Sequence, residues 1–151
     1  MQDIIIRPAT LNDLRGIYEL ESTIGKFPYP LVVLRQHFDL GSVLLVAQDG
    51  DKLVSYILGA YNHQTEIAHI VAVMTLPEYR KKGIARKLGE MLYARLMKFK
   101  PLEFQAVVSP DNTASLALSH AVGFSEHHIE EDYYGGGERR VVLRKGVASP
   151  L

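Results

Sequence analysis

The apolar residues of the chain occur in short runs and helical stripes, each bounded by turn residues. A short run closed by proline predicts a first strand at Asp3–Pro8. Thr10 is placed to cap a helix, and Asp13 falls in its first turn. The buried side of that helix is marked by Leu14, Ile17, Tyr18 and Leu20. The segment GKFPYP breaks it, and a shorter helix is predicted at Leu31–Leu40.

Three further apolar runs follow, with turn signals between them. They predict strands at Ser42–Gln48, Leu53–Tyr61 and Glu66–Thr75. The turns are Asp49-Gly50-Asp51 and Asn62-His63, which are typical of hairpin connections. The middle of the chain is therefore predicted to be an antiparallel meander.

Helices and strands alternate in the remainder of the chain. An amphipathic helix is predicted from Gly83 to about Lys98, with its apolar stripe at Ile84, Leu88, Met91, Leu92, Arg95 and Leu96. Glu103–Val108 reads as a strand, and Pro110-Asp111-Asn112 opens a helix that runs to Val122 and stops at Gly123. Two last strands, Phe124–Tyr134 and Arg139–Arg144, flank a triple-glycine turn at 135–137.

The element order β-α-α-β-β-β-α-β-α-β-β predicts an α/β (α+β) fold. We expect one mixed, mostly antiparallel sheet flanked by helices. With 151 residues, 47% of them hydrophobic, the chain is long enough for one core. We expect a single domain over residues 1–146 and a loose tail over 147–151.

Composition narrows the classes of function. Seventeen basic and seventeen acidic residues cancel, so no overall field attracts nucleic acid or an anionic membrane. The absence of cysteine removes disulfides, thiolate metal sites and a cysteine nucleophile, and suits a reducing cytoplasm. The N-terminus has no signal-like apolar region, and no run approaches a membrane span. The six histidines lack metal-ligand spacing, so no metal is predicted.

Five basic residues surround the start of the predicted third helix: Arg80, Lys81, Lys82, Arg86 and Lys87. The positive end of a helix dipole disfavours bases, unless an anion binds there. Unpaired N–H groups at a helix start form an anion site, and Gly83 and Ala85 let a ligand approach the backbone. The pattern indicates a phosphorylated ligand, with a solvated basic face as the alternative. It matches neither a Walker loop nor a dinucleotide-binding loop.

Two motifs carry a family resemblance. The stretch VMTLPEYRKKGIA resembles the acetyl-CoA motif of the GNAT superfamily of N-acetyltransferases. Downstream, NTASLALSHAVGF resembles the second motif of that family, in register at Asn112, Leu118, Gly123 and Phe124. The order of the motifs and of the elements agrees with the family over residues 3–145.

The resemblance implies acetyl-CoA as cofactor. It implies that the pyrophosphate lies on the N–H groups of Lys81–Arg86, and that the pantetheine arm joins the strand end at Val73–Thr75, where this strand and Glu103–Val108 separate. Asn112 would hold the arm from the other wall, although a plain helix cap is the alternative for this residue. The implied cofactor residues are Val73, Met74, Thr75, Arg80, Lys81, Lys82, Gly83, Ile84, Ala85, Arg86, Asn112 and Ser115.

The implied catalytic positions depart from the family pattern. The acceptor amine must lose a proton before it attacks the thioester, and the leaving thiolate needs an acid. The family's acidic tyrosine is replaced by Ser119, and one position used for a glutamate base holds Val107. Another branch's base position corresponds to His69, which titrates near neutrality, with Glu66 as a weaker candidate. The alternative for His69 is a structural histidine.

Two segments resemble the acceptor-lining loops of protein N-terminal acetyltransferases. They contribute Phe27 and Tyr29 from one loop and Tyr133 and Tyr134 from the last hairpin, although cross-strand packing is an equal alternative for the two hairpin tyrosines. The predicted activity is acetyl-CoA-dependent N-acetylation of a primary amine, carried by a small molecule or a polypeptide N-terminus. The alternative is a module that binds acetyl-CoA without turnover. Predicted partners include no nucleic acid and no membrane, and a homodimer is left open.

Overall fold

The computed structural model describes residues 3–25 and 28–147, and its elements follow the predicted order. The strands are β1 Ile4–Pro8, β2 Val43–Asp49, β3 Lys52–Asn62, β4 Ile67–Thr75, β5 Glu103–Val108, β6 Ser125–Glu130 and β7 Arg140–Gly146. The helices are α1 Leu14–Ile24, α2 Leu31–Asp39, α3 Ile84–Leu96 and α4 Thr113–Ala121. Short 3-10 turns lie at Leu11–Asp13, Pro77–Tyr79 and Met97–Phe99.

The seven strands form one mixed sheet in the order β1-β2-β3-β4-β5-β7-β6. The pairs β1–β2, β2–β3, β5–β7 and β6–β7 are antiparallel. Strands β4 and β5 are parallel, from Ile67 opposite Glu103 to Ile70 opposite Ala106. The predicted fold class is confirmed.

The described residues form two compact units. The first contains residues 3–25, 28–60 and 72–98. In this unit α1 contacts α2, and α3 packs against β2. Its core is aliphatic, and the fully buried members include Ile17, Leu34, Leu45, Leu58, Leu88, Leu92 and Leu96. Of these, the apolar stripes of α1 and α3 predict Ile17, Leu88, Leu92 and Leu96. Tyr18, Met91 and Arg95 of the same predicted stripes are only half-buried.

The second unit contains residues 61–71 and 99–147. Strands β5, β6 and β7 and the first half of β4 lie here, and α4 contacts β5. The buried apolar side chains are Ala68, Phe104, Ala106, Phe124, Val141, Val142 and Leu143. Most of them belong to β5 and β7, which are neighbours inside the sheet.

The last hairpin differs from its prediction. Strand β6 ends at Glu130, four residues before the predicted end at Tyr134. Asp132 has a positive φ of 54°, and its carboxylate accepts the N–H of Gly137. The carbonyl of Asp132 also accepts the N–H of Gly135 at 3.1 Å. These bonds turn the backbone away from the ladder, so both tyrosines lie in the turn.

The start of α1 also differs from its prediction. Thr10 precedes a 3-10 turn at Leu11–Asp13, and the α-helix begins at Leu14. The Asp13 carboxylate accepts the Thr10 N–H at 2.6 Å, which closes this turn as a capping box does. The predicted tail at 147–151 lies almost wholly outside the described residues. Within residues 3–25 and 28–147, no helix combines the length and apolarity that a bilayer span needs.

Candidate active site

The basic loop, residues 80–86, leads from the 3-10 turn at Pro77–Tyr79 into α3. Lys81 and Gly83 both have left-handed backbone conformations, with φ of 60° and 81°. Gly83 is the residue that caps α3, and glycine adopts this conformation without the penalty that a Cβ brings. A backbone that alternates in this way turns successive N–H groups toward one concave side.

This loop has the features of an anion site. Within the described residues, the N–H groups of Lys81–Arg86 have no backbone acceptor. A Cβ placed on Gly83 would meet no atom within 4 Å, so the space above the helix start is open. The side chains of Arg80, Lys81, Lys82, Arg86 and Lys87 are exposed. Free donors, open space and positive charge are what a pyrophosphate needs.

Two side-chain bonds hold the loop in place. Arg80 Nε donates to the carbonyl of Thr75 at 3.1 Å, at the end of β4. The Tyr79 hydroxyl donates to Asp49 at 2.6 Å, at the end of β2. Arg80 therefore has an anchoring contact, in addition to the charge that the sequence pattern emphasised.

The end of β4 is organised by a buried serine. The Ser55 hydroxyl donates to the Met74 carbonyl at 2.7 Å and lies 2.8 Å from the Thr75 hydroxyl. The N–H of Leu76 donates to the Val54 carbonyl at 2.9 Å. The main-chain groups of the even-numbered residues therefore point toward β3 at this end of β4. Since main-chain groups alternate along a strand, those of Val73 and Thr75 point to the opposite edge. Ser55 was not among the predicted site residues, although a polar residue inside the run LVSYIL is a usable signal.

Tyr29 is the described part of the first predicted acceptor segment. Its side chain is half-buried, and its N–H donates to the buried Glu21 carboxylate at 3.3 Å. Phe27, the other predicted residue of this segment, lies outside the described residues. Glu21 was also missed, although it occupies the apolar stripe of α1, one residue after Leu20.

His69 lies in the second unit, in the part of β4 that pairs with β5. It is half-buried and sits opposite Gln105, which in turn sits opposite Arg144 of β7. Arg144 Nε donates to the Gln105 side chain at 3.3 Å. Burial, and secondly the charge of Arg144, lower the pKa of His69 below its ordinary 6.5. The imidazole is therefore neutral at pH 7 and can accept a proton.

Three predicted residues share α4 and its cap. Asn112 caps the helix, and its side-chain oxygen accepts the Ser115 N–H at 3.1 Å. The cap interpretation is confirmed, and since only the oxygen is used, the amide NH₂ group can still donate to a ligand. Ser119 follows one turn after Ser115 and is half-buried.

Glu66, the weaker candidate for the base, has an exposed side chain.

Tyr133 and Tyr134 contact each other edge to face, with ring centroids 4.8 Å apart. Tyr134 is 65% exposed, and the guanidinium of Arg140 lies 5.4 Å from its ring centre. Both tyrosines lie beyond the end of β6, but contacts still cross the hairpin, because the N–H of Tyr133 donates to the Glu138 carbonyl at 3.2 Å and Arg140 belongs to β7. The alternative of packing across the hairpin therefore stands beside the predicted role in acceptor binding. Both tyrosines lie in a turn of the second unit, where Tyr134 is exposed and Tyr133 is half-buried.

Within residues 3–25 and 28–147, no group of three or more acidic or histidine side chains is placed to hold a metal ion.

Comparison with known proteins identifies the family. The profile of the acetyltransferase (GNAT) family matches residues 11–124. An N-alpha-acetyltransferase of Saccharolobus solfataricus is 24% identical over 95% of this chain and 93% of its own. The structure is similar to the ribosomal-protein-S18-alanine N-acetyltransferase of Escherichia coli, with a TM-score of 0.85, 20% identity and coverage of 99% and 97%. It is also similar to Chaetomium thermophilum Naa20 in complex with a bisubstrate analogue, with a TM-score of 0.82, 24% identity and coverage of 95% and 86%. With its profile matched over well more than half of its length, this chain belongs to the acetyltransferase (GNAT) family.

Proposed function

We propose that this acetyltransferase moves the acetyl group of acetyl-CoA to the α-amine of a polypeptide N-terminus. Acetyl-CoA supplies a thioester whose carbonyl carbon is the electrophile. The single observation that carries the proposal is the left-handed Gly83 at the start of α3, with free amides and exposed basic side chains around it. An anion of the size of a pyrophosphate matches these groups in charge and in hydrogen bonding.

The residues fit the cofactor in two places of the first unit. The amides of Lys81–Arg86 would bind the pyrophosphate, with added charge from Lys81, Lys82 and Arg86. The main-chain groups of Val73 and Thr75 would pair with the amides of the pantetheine arm. Ser55 supports this role, because its bond to the Met74 carbonyl fixes the neighbouring peptide. In the second unit, the Asn112 amide and Ser115 at the start of α4 are the residues that we propose for cofactor binding.

The proton transfers follow from the chemistry of amines. A protonated ammonium has no lone pair, so one proton must leave before the nitrogen forms its bond to the acetyl carbon. His69 would take that proton, directly or through water, since its lowered pKa keeps it neutral. As the carbon–sulfur bond breaks, the nitrogen gives up its second proton to water. The thiolate takes up a proton from water or from the Ser119 hydroxyl, which water then reprotonates. A serine hydroxyl is a poor acid, so we expect its direct share to be small.

Three arguments support the choice of an N-terminal α-amine. Tyr29, Tyr133 and Tyr134 resemble the tyrosines that grip the first residues of a peptide in protein N-terminal acetyltransferases. A relative that aligns with almost the whole chain is named as an N-alpha-acetyltransferase. An N-terminal α-amine also has a lower pKa than a lysine amine, about 8 against about 10.4, and so is easier to deprotonate. The cytoplasm, where nascent N-termini emerge, is the proposed location.

A panel of acceptors tests the proposal. Peptides with a free N-terminus, the same peptides with a blocked N-terminus, and small diamines or aminoglycosides are each incubated with acetyl-CoA, and thiol release is followed. We expect release with free N-termini and none with the blocked peptides. Release only with the small amines would contradict the proposed acceptor. Binding of acetyl-CoA without release for any amine would favour the module without turnover.

A further inference from the structure

Glu21 is a carboxylate on the buried side of a helix. It follows Leu14, Ile17 and Leu20 on the apolar stripe of α1, and only 3% of its surface is exposed. Burying a carboxylate is costly unless hydrogen bonds satisfy it, and an apolar residue in the same place is often as stable. Core packing alone therefore gives no reason for a glutamate at this position.

Both carboxylate oxygens of Glu21 are engaged, by groups from different parts of the first unit. Oε1 accepts the hydroxyl of Tyr56, a fully buried residue of β3. Oε2 accepts the N–H of Tyr29 at 3.3 Å. Burial and the bond to Glu21 raise the pKa of Tyr56, so its hydroxyl remains a donor. Helix α1 is thus joined to β3 on one side and to the Tyr29 segment, residues 28–30, on the other.

The end of α1 packs closely against the cofactor strand. The N–H of Gly25 donates to the Glu21 carbonyl at 2.7 Å. A Cβ on Gly25 would lie 3.1 Å from the Met74 methyl group and 3.3 Å from Glu21 Oε2. Met74 stands between Val73 and Thr75, whose main chain is the proposed pantetheine contact. The Glu21 carboxylate therefore lies close both to the Tyr29 segment and to Met74 at the end of β4.

We propose that Glu21 is a positioning residue, which sets the distance between the Tyr29 segment and the acetyl-carrying end of β4 and so determines how well the acceptor binds. The proposal rests on the proposed function in naming Tyr29 as an acceptor contact and the end of β4 as the place that holds the acetyl group. Glu21 touches neither substrate. It acts through the Tyr29 backbone, and Tyr56 holds it in place.

Kinetics of a mutant cycle test this role. Glu21→Ala is expected to raise the acceptor KM about ten-fold while acetyl-CoA affinity stays within about two-fold, a size typical of residues coupled in one network. Tyr29→Ala should have a similar effect, and the double variant should add little to either. Glu21→Gln should keep the acceptor KM near the wild-type value. The glutamine amide oxygen can accept the Tyr29 N–H, and the amide NH₂ can donate to the Tyr56 hydroxyl. Glu19→Ala, an exposed position on the same helix, is the matched control.

Hydrogen exchange at the Tyr29 amide gives a second readout that needs no turnover. Faster exchange is expected in Glu21→Ala and, to a smaller extent, in Tyr56→Phe, with no change in Glu19→Ala. If Glu21→Ala does not fold, Tyr56→Phe carries the test. Unchanged Tyr29 exchange and unchanged acceptor KM in a folded variant would overturn the proposal. The kinetics use whichever amine the wild-type protein acetylates. If that amine is not a peptide N-terminus, the acceptor panel with the wild-type protein shows this independently of the Glu21 variants.

Discussion

Arg80 Nε donates a 3.1 Å hydrogen bond to the carbonyl of Thr75, and this bond ties the basic loop to the end of β4. The two residues belong to the two proposed cofactor contacts, the phosphate site and the pantetheine strand. One side chain therefore fixes the relative position of both. Because the bond uses only Nε, the remaining guanidinium donors can still face an anion.

Gly83→Asp should abolish the stabilisation of the protein by acetyl-CoA. A ligand at a hundred times its Kd stabilises the folded state by about 2.7 kcal/mol, which is a measurable rise in Tm. A carboxylate at residue 83 would occupy and repel the pyrophosphate position, so we expect the rise to vanish. Thermal denaturation with and without acetyl-CoA or CoA checks this.

Gly83→Asn is the matched control for that substitution. Asparagine is nearly the size of aspartate and tolerates the left-handed conformation of residue 83, with φ of 81°, but carries no charge. It should retain part of the Tm rise. If Gly83→Asp bound CoA as the wild-type protein does, the phosphate site would lie elsewhere.

His69→Ala should lower turnover about a hundred-fold, the lower end of what a general base contributes, and leave CoA affinity almost unchanged. The lowered pKa of His69 means that the working, neutral form prevails above about pH 6.5. The rate should therefore fall as the pH drops through the pKa of the folded state. The unfolded chain binds this proton more readily than the folded protein does. The free energy of unfolding should therefore also fall as the pH drops below about 6.5. Wild-type turnover in the variant would transfer the role to water or Glu66.

A second variant should shift the acidic limb of the pH–rate profile while His69 itself is unchanged. Arg144→Gln removes the cation that, after burial, lowers the pKa of His69. The acidic limb of the pH–rate profile should shift to higher pH. Arg139→Gln, an exposed arginine paired with Glu131, should leave the limb in place. An unshifted limb in Arg144→Gln would indicate that another group titrates.

The sequence predicts the fold well because each element has a local signal. Turn residues bound every run, and the apolar stripes of α1 and α3 match their buried faces. The end of β6 was predicted wrongly because Tyr133 and Tyr134 have strong strand propensity. The turn is decided by the side chain of Asp132, whose bond to Gly137 spans five residues and leaves no periodic pattern.

The site is predictable only where it is contiguous in the chain. The basic loop and the cap at Asn112 are motifs of successive residues, and their backbone geometry agrees with expectation. Glu21 and Ser55 were missed because their partners, Tyr56 and Met74, lie 35 and 19 residues away. Only the presence of a polar residue on an apolar stripe could have indicated them.

Ser119→Tyr should keep or raise turnover, provided that the half-buried position has room for the ring. The substitution restores a phenol on the face of α4 that also carries Ser115, at the position where the family has its acid. Ser119→Ala should cost little, because water can protonate the thiolate. Thiol release at saturating acetyl-CoA measures both. A large loss in Ser119→Ala with intact CoA binding would show that the hydroxyl takes part in the proton transfer.

Ser55→Ala should destabilise the protein by about 1–3 kcal/mol, because the Met74 carbonyl and the Thr75 hydroxyl lose a buried partner. Urea denaturation measures the change. The exposed Ser22→Ala, on α1, should change the free energy of unfolding by less than about 0.5 kcal/mol. Equal stability of Ser55→Ala and wild type would mean that water replaces the serine hydroxyl at the end of β4.

The most direct test of the central claim is where the acetyl group goes. A peptide with a free α-amine and an internal lysine is incubated with the protein and isotopically labelled acetyl-CoA, and fragment masses locate the label. We predict one acetyl group on the α-amine and none on the lysine, with the rate greatly reduced in His69→Ala. Label on the lysine alone, or an unmodified peptide in the presence of bound acetyl-CoA, would contradict the account.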